Sequence, residues 1–202
     1  METVPFDDGV SRVSAPRSIR PRPARRAAAV LGASLATVLL LAVSAPGATA
    51  QSEDQVMAAF LLNFARYVEW PEDAFDRADA PVRICMVDAD GLGGVVAETV
   101  AGKTVGDRPL EVADSSDLAA TAGCHIVFIG REHAASIGAA VAALDRSHAF
   151  SIADHEGFAT AGGVANFYRE DSRIRFAINP SAARKAGLTI SSRLLRLAKV
   201  VD

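Results

Sequence analysis

The sequence predicts a single α/β domain: a mixed β-sheet flanked by helices on both faces, a three-layer αβα arrangement that ends in a C-terminal hairpin and two terminal helices. Three observations predict it. Short apolar runs alternate with helix-length segments between Val82 and Ile152, the rhythm of parallel strands joined by crossovers. Val164 to Tyr168 and Arg173 to Ile178 are strand-like segments separated only by a polar stretch, which suits a hairpin. A helix with one wide apolar face precedes them all.

Residues 1–50 read as an export address. Arginines from Arg12 to Arg26 precede an uncharged apolar run, Ala27 to Val43, and Ala48-Thr49-Ala50 supplies the small-x-small pattern of a cleavage site. The run falls short of the roughly 20 residues of a spanning helix. The expectation is a signal peptide cleaved after Ala50 and a mature domain over residues 51–202. That domain carries 15 Lys and Arg against 21 Asp and Glu, so its mildly acidic balance gives no electrostatic footprint for nucleic acid. Its length suits one domain with a conventional core.

Ser52-Glu53-Asp54-Gln55 has the spacing of a capping box. Val56, Ala59, Phe60, Asn63, Phe64, Tyr67 and Val68 recur at three and four, predicting a helix that Pro71 stops. Strands are then expected at Val82 to Val87, Leu110 to Ala113, His125 to Ile129 and Ala149 to Ile152. Helices are expected at Leu92 to Val100 and His133 to Leu144, with a helical turn at Ser116 to Thr121. In the hairpin, Arg173, Arg175 and Ala177 alternate with Ile174, Phe176 and Ile178, giving one wet face. Asn179-Pro180 caps a helix that Gly187 ends. Ser191 or Ser192 caps a last helix packed through Leu194, Leu195, Leu197 and Ala198.

Little of this assembles into catalysis. The loop Asp88-Ala89-Asp90-Gly91-Leu92-Gly93-Gly94 is glycine-rich, but the third glycine of a dinucleotide fingerprint would fall at Val96, so a tight turn is the simpler reading. Cys124 and His125 are strand neighbours pointing to opposite faces, which excludes a dyad between them. His125, His133, His148 and His155 show no metal-ligand spacing. No nucleophile, base and orienting group can be assembled, so neither an enzyme nor a cofactor is expected. In an exported chain Cys85 and Cys124 either pair, stabilising the fold by roughly 4 kcal/mol in the chain-entropy model, or remain buried thiols.

Ala58-Ala59-Phe60-Leu61-Leu62-Asn63-Phe64-Ala65-Arg66-Tyr67-Val68-Glu69-Trp70-Pro71 resembles the opening helix of the YfiR family of periplasmic proteins. Gly123 to Ile129 resembles its central strand, Gly157-Phe158-Ala159-Thr160-Ala161-Gly162-Gly163 its glycine-rich turn, and Phe176 to Asn179 with Ala182 to Leu195 its ending. The strings run in order across the expected mature domain. The resemblance implies a non-catalytic periplasmic regulator that holds down a membrane-bound diguanylate cyclase, or another inner-membrane sensor, by binding its periplasmic region. That would lower cyclic-di-GMP and biofilm formation. It also implies a Cys85–Cys124 disulfide, while a second pair that some members carry around Phe158 to Ala165 is absent here.

The motif residues Trp70, Pro71, Phe158, Gly162, Gly163, Asn179, Ser191 and Ser192 read as structural, with Trp70, Phe158 and Phe176 as core anchors. Gly162 and Gly163 suit a turn with positive φ. Arg173, Arg175, Arg193 and Arg196 are the candidates for a partner surface, and a homodimer is compatible with the sequence. The alternative function is a periplasmic small-ligand binder using Asp88 to Gly94 and Glu156 to Gly163 at the carboxyl edge of the sheet.

Overall fold

The computed structural model describes residues 51–131, 137–144 and 147–202. The expected signal peptide, His133 and the start of the helix predicted there lie outside these residues. Ala50–Asp202 forms one compact unit.

Helix α1, Glu53–Tyr67, opens with the capping box: the Gln55 N–H donates to Ser52 Oγ (3.2 Å) and the Ser52 N–H to Gln55 Oε1 (3.0 Å). Its buried face is Met57, Ala58, Leu61, Leu62, Phe64 and Ala65. Ala59, expected inward, is exposed; the true stripe is rotated toward the Leu61 side, where the bulkier side chains lie. β1 (Val68–Glu69) follows directly, and a 3-10 turn at Glu72–Ala74 starts from Pro71.

β2 (Val82–Val87), α2 (Leu92–Val100), β3 (Thr104–Val105), β4 (Arg108–Ser115), β5 (Ile126–Ile129), α3 (Ile137–Leu144) and β6 (Phe150–Ala153) then alternate. β4 is longer than expected because Gly106 and Asp107 turn the chain back from β3 into it, with Val105 opposite Arg108 and φ of +57° at Gly106. The hairpin of β7 (Ala165–Glu170) and β8 (Arg173–Ile178) leads into α4 (Pro180–Lys185), β9 (Thr189–Ile190), α5 (Ser192–Leu195) and β10 (Lys199–Val200).

The main sheet runs in the order β10-β8-β7-β6-β5-β2-β4-β3. It is parallel from β4 through β7, antiparallel across the hairpin and parallel again at β10. β1 and β9 make a separate antiparallel pair. Strand alternation divides the core into two layers. On one face Ile84, Met86, Ile126, Phe128, Phe150 and Ile152 meet α1 and α2. Phe64 lies 5.0 Å from Phe150 and 5.1 Å from Phe176 between ring centroids, within the range where aromatic pairs attract beyond their burial. On the other face Cys85, Val87, Val127 and Ile129 meet α3 and Phe158. Helices therefore cover both faces of a mixed sheet.

The last helix departs from expectation. It is a single turn, capped by Ser191, whose side chain accepts from the Arg193 N–H at 3.3 Å. Leu194 is buried, but Leu197, expected to pack, is 66% exposed, because the chain has left the helix by then to form β10.

Candidate functional site

The most exposed functional candidate is the C-terminal edge of the sheet. Ile174, Phe176 and Ile178 of β8 point into the α1 layer, so Arg173 and Arg175 point to the opposite face, where both are exposed. Register places Tyr168 beside Arg175, Glu170 beside Arg173 and Lys199 beside Ala177. The Lys199 ammonium lies 5.6 Å from the Tyr168 ring centroid, within cation–π reach, and Arg175 Nε is 3.5 Å from a Glu170 oxygen. Arg193 stacks 5.7 Å from the centroid of Tyr67, at the end of α1.

The four arginines singled out by sequence thus divide. Arg173 and Arg175 share a face with Tyr168 and Lys199, Arg193 lies on the α1 side, and Arg196 is exposed just after α5. Lys199 and Tyr168 were missed. A charge count would have found the region: from Arg173 to the end there are seven Lys and Arg and one acid, Asp202.

The carboxyl edge of the parallel strands forms a second candidate. β2 and β5 are neighbours whose chains continue in opposite directions across the sheet, to β4 and β6. That is the switch point where open α/β sheets leave a crevice. A cavity of about 250 Å³ lies there between Asp88, Asp90, Arg131, Asp154 and Arg169.

Its wall is an ion-pair chain: Arg169 meets Glu53 at 2.7 Å and Asp154 at 3.0 Å, and Arg131 meets the other Asp154 oxygen at 3.0 Å. Glu53, followed by Asp154, raises the Arg169 pKa against the opposing effect of burial, so these guanidinium charges are already matched. Asp88 and Asp90 hold φ of +47° and +43°, the left-handed region that short polar side chains tolerate. The Asp114 carboxylate fills the space a side chain at Gly93 would need, so a phosphate at the α2 start would meet an anion. Of the second segment named from sequence, Glu156 reaches this edge. Gly162 and Gly163 border a different recess, with Val141 and Ser151.

Of the motif residues, Phe158, Gly163 and Asn179 are buried, Trp70, Pro71 and Ser191 half-buried, and Gly162 and Ser192 exposed. A Cβ on Gly163 would come within 2.0 Å of the Phe158 ring, so Gly163 is there for close approach, while Gly162 carries the positive φ, +113°. Asn179 Oδ1 accepts from the Ala182 N–H (2.9 Å) and its Nδ2 donates to the Ala159 carbonyl (3.0 Å), tying the α4 cap to the glycine-rich turn. Cys85 and Cys124 form a disulfide, with Cα atoms 6.0 Å apart.

Beside the disulfide, His125 is buried at 4% exposure. Phe75 stacks on it at 4.3 Å, Trp70 meets it edge-on at 5.9 Å, and the Trp70 Nε1–H donates to the His125 carbonyl at 3.1 Å. Its Nδ1 accepts from the Arg83 N–H (3.1 Å) and its Nε2 has no hydrogen-bond partner. Burial lowers the imidazole pKa; the nearby Ala74 carbonyl opposes this, and the Arg108 and Arg83 charges add to it. Among the described residues no cluster of three or more His, Cys, Asp and Glu could hold a metal ion.

The YfiR/HmsC-like family matches residues 54–199, from the first turn of α1 into β10. The chain belongs to the YfiR/HmsC-like family. Periplasmic regulation is the role this family stands for. No curated protein matches the chain. Among solved structures, a conserved domain protein from Vibrio cholerae O1 biovar eltor str. N16961 superposes with a TM-score of 0.53 at 14% identity, over 75% of this chain and 60% of that one. This likeness supports the fold alone. An ABC domain in complex with L-Trp from Streptococcus pneumonia superposes with a TM-score of 0.49 at 13% identity, over 74% of this chain and 60% of that one. The chain spans 60% of the length of both of these structures.

Proposed function

We propose that this YfiR/HmsC-like protein is exported by cleavage after Ala50 and represses an inner-membrane diguanylate cyclase by binding its periplasmic sensor region, lowering cyclic-di-GMP and biofilm formation. The observation that carries this reading is the family match along nearly the whole compact unit. The role asked of the chain is binding, without chemistry. Its exposed basic residues, Arg173, Arg175, Arg193 and Arg196, are the groups we assign to the partner surface.

Deletion of the gene is expected to raise cyclic-di-GMP, and the tagged protein is expected to co-purify with a membrane-bound cyclase. Unchanged cyclic-di-GMP and no cyclase in the eluate would sink the reading. A second reading, a small-ligand binder, is favoured by the crevice at the β2–β5 switch point. A thermal-shift screen with nucleotides, amino acids and peptidoglycan fragments tests it, and a flat result counts against it.

A further inference from the structure

We propose that the free edge of β10 receives an extended, acidic segment of the partner protein as an added strand; this rests on the regulator reading above and supplies the chemistry of its contact. Among the described residues β10 is the terminal strand of the main sheet, and no strand of these residues pairs with its outer side. The Val201 N–H donates inward to the Ile178 carbonyl at 2.9 Å. Alternation along the strand therefore turns the N–H and C=O of Val200 outward. An edge of this kind gives a visiting strand its main-chain hydrogen bonds, and the side chains beside it set which strand is accepted.

Those side chains have a definite character. Leu197 and Val200, at 66% and 54% exposure, are the exposed large hydrophobics among the described residues. Lys199 lies on β10, with Arg175 and Arg173 spaced by two on the strand behind it. Side chains at every second position of an added strand would project to that same face, which is where carboxylates would meet these cations. The stretch from Arg173 onward is basic, whereas the domain preceding it is strongly acidic.

A lysine on an edge strand commonly keeps that edge from pairing with copies of its own chain. A two-fold β10–β10 contact would bring Lys199 toward Lys199 and one basic pole against the other. The feature that disfavours a second copy selects an acidic strand. A lipid surface would use the charges but not the outward backbone groups of Val200.

The test uses the mature protein purified from the periplasm and a fluorescent peptide in which Glu and Val alternate, with a Lys/Val peptide as control. Binding of the Glu/Val peptide is expected, weakened by salt, and Lys199→Glu should reduce its affinity roughly tenfold or more. Val200→Pro should reduce it comparably, because proline removes an outward N–H and no ladder bond. Circular dichroism checks the fold of each variant; should Val200→Pro unfold, Lys199→Glu combined with Arg175→Glu decides the matter.

Equal affinity of the wild type and the charge variants overturns the proposal, as does binding of the Lys/Val peptide. Phosphatidylglycerol vesicles bound in place of the peptide, indifferent to Val200→Pro, overturn it in favour of a membrane. A dimer abolished by Val200→Pro overturns it in favour of a second copy. Loss of peptide binding with repression of the cyclase intact sinks the strand proposal and leaves the regulator standing. Peptide binding by a protein whose deletion leaves cyclic-di-GMP unchanged does the reverse.

Discussion

Cys85 and Cys124 illustrate what two residues contribute when the rest of the core is already formed. They lie 39 residues apart, 5% and 8% exposed, and join β2 to the start of β5 across the layer that α3 covers. Their bond limits the unfolded chain, and a loop of that length contributes about 4 kcal/mol. At roughly 2–4 °C per kcal/mol for a domain of this size, Cys85→Ser with Cys124→Ser should lower Tm by about 8–16 °C; a melt unchanged in the double variant and under reductant would contradict this. His125, next in the chain, adds a pH dependence. Its folded pKa is depressed below the usual 6.5, first by burial, so folding favours the neutral ring. The stability this gives is complete above pH 6.5 and is lost as the pH falls through that value toward the folded pKa. His125→Asn offers an amide oxygen to the Arg83 N–H in place of Nδ1. It should flatten the decline in urea midpoint between pH 7 and 5.5, while costing about 1 kcal/mol of stacking with Phe75 and Trp70. A decline as steep in the variant would assign the acid sensitivity elsewhere.

Elements that carry local signals were legible, and those defined only by distant partners were not. The capping box of α1, the Asn179-Pro180 start of α4 and the polar reversal between β7 and β8 each rest on side chains within a few residues of the feature they make. β1 and β9 have no such signal. Each is two residues long, and Val68 becomes a strand only because Ile190 arrives opposite it; two residues cannot show a period. The same shortness hid β10 inside an apparently helical run and made Leu197 look like a packing residue. The candidate surface was half legible for a related reason: alternation in β8 revealed Arg173 and Arg175, whereas Tyr168 and Lys199 join them through cross-strand register. A paired substitution measures the difference between helix and edge. Leu194→Ala, at 2% exposure, should destabilise by about 2–5 kcal/mol through transfer and cavity losses. Leu197→Ala should stay within about 0.5 kcal/mol. Comparable losses at the two positions would mean that the chain continues as helix past Leu195.

Across the whole molecule the charge is divided unevenly: the mature domain is acidic overall, with 15 Lys and Arg against 21 Asp and Glu, yet its last segment, from Arg173, carries seven cations against Asp202 alone. Such a division orients a protein before contact. An acidic partner attracts the basic edge and repels the remaining surface, so electrostatics acts on the rate of productive encounter more than on the lifetime of the complex. The ion pairs within the domain do not supply this field, because Arg131 and Arg169 are matched by Glu53 and Asp154; among the described residues the ion pair at the edge cations is that of Glu170 with Arg175. The expected signature is kinetic. With the periplasmic region of a cyclase on a biosensor surface, raising salt from about 50 to 300 mM shortens the screening length to well under 10 Å. The association rate should then fall by roughly an order of magnitude while dissociation changes much less. Arg173→Glu with Arg175→Glu should reproduce the slow association at low salt and remove most of the salt dependence. Dissociation that accelerates with salt, at an unchanged association rate, would instead place the charges in the docked contact, and the basic edge would then act in holding the partner after docking and not in guiding it.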